Sequence, residues 1–134
     1  MADTVTSQTI QDGGKTAVLK FTNESDGSGE SSVKKVDVSA LATDSAGNAC
    51  TSVSIARIYW ACRGMGVDIE FDATTNVLAI PLPADSTGDE YYDLFGSIPN
   101  NAGSGVTGDI DFTTVGASSG DAYSIILVLH KNYS

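Results

Sequence analysis

Apolar side chains recur at every second position in short runs along this chain, and clusters of Gly, Ser, Asn and Asp separate the runs. Spacing two is the period of a half-buried strand, and no long stretch shows the helical period. The pattern predicts strands over residues 4–10, 15–22, 32–38, 52–62, 67–72, 77–81, 107–115 and 122–131. Asp12-Gly13-Gly14 supplies a hairpin turn between the first two. Residues 23–30 carry no hydrophobic side chain and read as a solvated loop. Residues 39–48 are too short and polar for more than a connection with one helical turn. Strict alternation in 52–62 puts Val53, Ile55, Tyr59 and Ala61 on one face and Ala56, Ile58, Trp60 and Cys62 on the other, the signature of a strand in mid-sheet. The last strand, 123–129, is likewise apolar on both sides. Val67, Ile69 and Phe71 alternate with Asp68, Glu70 and Asp72, giving one dry and one wet face, and Pro81 and Pro83 end the following strand or mark it as an edge. Residues 84–105 read as the longest irregular region. The expectation is an all-β fold of about eight strands, a two-sheet antiparallel β-sandwich that is jelly-roll-like or Ig-like.

At 134 residues the chain is one domain, 1–134, with residues 1–10 as an N-terminal arm or edge strand. Seventeen acidic and seven basic residues give a net charge of −10, which argues against nucleic acid as a partner, since phosphate binding needs clustered Lys and Arg. No apolar run approaches the length of a membrane span, and the polar start lacks a signal-peptide core, so the expectation is a soluble chain assembled in a cytoplasm with no membrane partner. Cys50 and Cys62 would lie about 35–40 Å apart if 52–62 is extended at about 3.3 Å per residue, far beyond disulfide reach, and read as two buried thiols.

Candidate chemistry thins out on inspection. His130 is the sole histidine and stands beside Lys131 at a strand end, with no glycine-flanked serine elsewhere, so a nucleophilic triad is not supported. Two cysteines and one histidine do not complete a zinc site. Asp68, Glu70 and Asp72 share one side of a strand, but carboxylates at spacing two are the ordinary wet side of a half-buried strand, and neither the loop over residues 23–30 nor that over residues 85–90 matches a calcium-loop frame. With seventeen acids a glycosidase-like carboxylate pair is always available and so carries no signal. No catalytic residue, metal or cofactor is expected. Tyr91, Tyr92 and Phe95 in the long irregular region are candidate interface anchors, against the plainer reading that they cap one end of the sandwich. Thr4, Val5 and Ile10, in the polar N-terminal segment, are candidates for a strand that clamps a neighbour.

Several phrases are characteristic as wholes. Residues 18–30, reading Val-Leu-Lys-Phe-Thr-Asn-Glu-Ser-Asp-Gly-Ser-Gly-Glu, stand with Phe71-Asp72-Ala73-Thr74-Thr75-Asn76, Pro99-Asn100-Asn101-Ala102-Gly103, Thr107-Gly108-Asp109-Ile110 and the closing Gly120-Asp121-Ala122-Tyr123-Ser124-Ile125-Ile126-Leu127. Together they resemble a family of small proteins encoded by tailed bacteriophages. The resemblance spans nearly the whole chain and implies a virion structural protein with no catalytic motif. The expectation built on it is a capsid decoration, or cement, protein on the outer head surface, bound to the major capsid protein and to copies of itself, with a trimer favoured. The alternative is a neck, tail or fibre component acting as an adaptor or a carbohydrate-binding module, in which Trp60 and the tyrosines would stack on sugar rings.

Overall fold

In the computed structural model, which describes residues 3–92 and 97–133, the chain forms two antiparallel sheets that enclose one core. Nine strands build them: β1 Thr4–Asp12, β2 Thr16–Glu24, β3 Val33–Val36, β4 Ser52–Arg63, β5 Gly66–Phe71, β6 Val77–Leu82, β7 Thr87–Tyr91, β8 Ile110–Val115 and β9 Ala122–Asn132. Among the described residues the one helical element is a 3-10 turn, Val38–Ala40, capped by the Asp37 side chain accepting from Ser39 N. No helix among them is long and apolar enough to cross a membrane.

The five-stranded sheet has the order β1-β2-β9-β4-β7 and the four-stranded sheet the order β3-β8-β5-β6. β2 pairs with β9, β3 with β8, β4 with β7 and β5 with β6. The pairs are nested in sequence and fall in alternate sheets, so β2 to β9 form one long hairpin wound on itself. That is the jelly roll of the two topologies anticipated. β1 lies outside the nest and pairs with β2 alone.

Alternation explains the interior. Phe21, Ile125 and Leu127 of the larger sheet meet Val67, Ile69, Phe71 and Phe112 of the smaller, all at 2% exposure or less. Edge-to-face contacts of Phe112 with Phe21 and with Tyr123, at 5.4 and 5.8 Å between ring centres, tie the two sheets together.

Four sequence expectations change. β4 is central, but its alternation is not strict: the register shifts between Ile55 and Arg57. The bulge at Ala56 leaves Val53, Ile55, Ile58 and Cys62 buried and places Tyr59 and Ala61 on the outer face, opposite to the parity read from the sequence. Within the region read as irregular, Thr87–Tyr91 is strand β7, paired with β4. Residues 23–30 are not simply solvated, because β2 runs on to Glu24 while Asn23 and Ser25 are buried at 2% and 4% exposure. The strand count is therefore nine.

Candidate functional site: an open edge and an aromatic face

A β-sandwich has four edge strands, and each must be kept from pairing with other chains. Three are guarded here. β3 is four residues long and carries Lys34 and Lys35, ion-paired to Asp109 and Glu30. β6 contains Pro81, which removes a ladder donor. β7 is five residues long and carries Asp89 and Glu90. β1 differs in kind: nine residues, with neither charge, Pro nor Gly between Thr4 and Gln11, and exposed over nearly its whole length. Val5 and Ile10 are 47% and 52% exposed, and Ile10 sits at the register shift between Thr9 and Gln11.

Both ends of β1 are fastened. The Asp3 carboxylate accepts from Asn23 Nδ2 at 3.0 Å, Ser25 Oγ at 3.3 Å, Asp26 N at 3.1 Å and Gly29 N at 3.3 Å, which gathers the loop after β2 around the start of the chain. At the other end, Asp12 pairs with Lys131, whose ammonium is fully buried and also donates to the Gly13 and Ala42 carbonyls at 2.6 and 3.2 Å. A buried ammonium with three oxygen partners is satisfied, so it locks the β1–β2 turn to β9 rather than offering a reactive amine. Residues 4–10 are thus a strand of this chain's own sheet and not a free arm.

The candidate residues separate into groups. Thr4, Val5 and Ile10 lie on β1 and Tyr91 on β7, the two opposite edges of the same sheet, about 19 Å apart at about 4.8 Å per strand. Tyr91 faces outward at 50% exposure beneath the Arg57 guanidinium, 4.4 Å from its ring centre, with the Tyr59 ring at 6.3 Å and the two hydroxyls 3.4 Å apart. That hydroxyl contact lowers the Tyr59 pKa and raises that of Tyr91. Tyr92 turns the other way: it is half-buried against the core, burial raises its pKa, and its N–H donates to Ala56 O at 2.7 Å. Phe95 lies outside the described residues. Trp60 packs on the core, donates its indole N–H to Ser86 Oγ at 3.0 Å and rests on Gly88, so its ring is committed to the fold. Sequence reasoning missed Arg57 and Tyr59 as partners of Tyr91, because the bulge that turns them outward leaves no trace in the alternation.

The acidic strand side forms a second cluster. Asp111 of β8 stands opposite Glu70 of β5 at 3% exposure, near the Asp72 carboxylate and accepting from Asn76 Nδ2 at 3.0 Å. Burial, then the Asp72 carboxylate, raises its pKa to about 6, whereas the Thr107 hydroxyl at 2.7 Å holds Asp72 low. Among the described residues no three His, Cys, Asp or Glu side chains are arranged to hold a metal ion. Cys50 and Cys62 are buried free thiols whose pKa values burial raises.

No family model, no curated protein and no solved structure matches this chain. The resemblance to the phage family therefore stands on the phrases quoted above.

Proposed function

We propose that this chain is a non-catalytic structural protein of a tailed-phage virion, a decoration protein on the outer head surface that docks on the major capsid protein through its β1 edge. The observation that carries the reading is the appended strand itself: a complete jelly roll, β2 to β9, with one further strand, uncharged from Thr4 to Gln11, fastened alongside and left open. Such an edge accepts a strand or extended segment from a neighbour, with main-chain hydrogen bonds supplying affinity and Val5 and Ile10 supplying apolar contact. A protein that binds the assembled shell and not its free subunits shifts the equilibrium toward the shell by mass action. The charge of −10 keeps it off packaged DNA. Jelly rolls also serve as viral capsid domains, an argument from fold alone.

Deleting residues 1–10 would strip β2 of one of its two neighbours and would test stability rather than docking. The cleaner variant is Val5→Lys with Ile10→Lys, which places charge on the edge at two exposed positions. Retained folding with lost occupancy on particles is expected; unchanged occupancy would remove the β1 edge from the reading.

A further inference from the structure

The outer face of the five-stranded sheet is set apart from the rest of the surface by charge. Its strands present three basic residues, Lys20, Arg57 and Arg63, and two acidic ones, Glu24 and Asp89, which leaves four basic and fifteen acidic residues for the remainder of the chain. On a molecule of net charge −10 this is the face on which a second copy meets least repulsion. Its centre is apolar and aromatic, with Val18, Ile126 and Val128 half-buried beside Tyr59 and the Arg57–Tyr91 stack. Tyr and Arg around an aliphatic centre are what interface hot spots are made of.

Two neighbouring rows cross this face. One runs Lys20, Ile126, Tyr59, Asp89 and the next Val18, Val128, Arg57, Tyr91, each in the order β2, β9, β4, β7. Each row is complementary to its own reverse. We propose that two copies of this chain associate face to face through these rows, about a twofold axis that runs along the strands between β9 and β4. Rotation about that axis sets Lys20 of one copy against Asp89 of the other and Ile126 against Tyr59. In the next row it sets Val18 against Tyr91 and Val128 against the Arg57 stem. Each pairing occurs twice, as an isologous interface requires, whereas a threefold ring would need two different patches. Because the axis lies off the middle strand, β1 overhangs the pair and stays uncovered. The inference goes beyond the lattice-docking reading and does not depend on it.

Sedimentation of the purified chain over a wide concentration range tests it without any particle present. A reversible dimer is expected, weaker at high salt, because the Lys20–Asp89 contacts lie toward the margin of the face and are screened. Lys20→Asp and Asp89→Lys each oppose like charges twice per dimer and should weaken association on the order of tenfold, and the double reversal should restore it. Trp60 fluorescence verifies that every variant is folded. A monomer at all concentrations, a dimer indifferent to either reversal, or a double reversal that fails to restore association would each overturn the proposal.

Discussion

Gly88 lies against an aromatic ring that leaves no room for a side chain. A Cβ there would lie 2.7 Å from Trp60 Cη2 and 2.8 Å from Cζ2, and the aromatic ring has no flexible end to yield. Gly88→Ala should displace the indole, break its bond to Ser86 and cost about 1–3 kcal/mol, the usual range for overpacking. Trp60 is the chain's one tryptophan, so its emission should shift to the red; unchanged emission and unchanged denaturation midpoint would contradict the contact. Asp111 makes a prediction in pH. Asp72 and Glu70 face it with negative charge and Lys34 with positive, and its carboxyl holds its proton to about pH 6 in the folded chain against 3.8 as the ordinary value. Between those limits the folded state binds more protons than the unfolded one, so Asp111's contribution to stability is full below about 3.8 and fades as pH rises through about 6. Asp111→Asn keeps a donor toward Asp72 at every pH. The urea midpoint of the variant should therefore change less than the parent's between about pH 4.5 and 7, and equal slopes would show that Asp111 does not hold its proton.

Elements differ in how plainly the chain announces them. Strands that bury one face, such as β2 and β5, are legible because one side of each faces the core and the other does not, and period-two alternation follows directly from that. β7 was illegible for the converse reason: Thr-Gly-Asp-Glu-Tyr buries nothing and is a strand only because β4 offers it a ladder. The bulge in β4 was illegible too, since an inserted residue shifts parity without changing composition. Asp3 shows a third kind of concealment. Its four partners come from residues 23, 25, 26 and 29, so an acid at the start of the chain organises a loop that looked merely polar. Asp3→Ala should free the Asp26 and Gly29 amides, seen as faster hydrogen exchange at those two positions, while costing about 1–3 kcal/mol overall. Exchange that stays slow at both would place the loop's order elsewhere. Of the candidate residues only the exposure is half legible: Thr4, Val5, Ile10 and Tyr91 lie at the surface, but Tyr92 turns to the core and Tyr91's neighbours Arg57 and Tyr59 could be found only once the bulge was known.

At the scale of the molecule, two features have different consequences. The jelly roll closes on itself through nested pairs, so the appended β1 is spare to the fold's topology and available to a neighbour. The charge is unevenly spread, with the outer face of the five-stranded sheet nearly neutral and the remainder strongly acidic, which is the basis of the proposed face-to-face contact. A shell lattice uses such a module at many equivalent sites, whereas a neck, tail or fibre uses few. Quantitative mass spectrometry of purified virions, taken as the ratio of this chain to the major capsid protein, tests the proposed role most directly. A ratio near parity or a simple fraction of it is expected for a decoration protein; a few copies per particle would move the role to neck, tail or fibre, and absence from the particle would contradict the virion reading altogether.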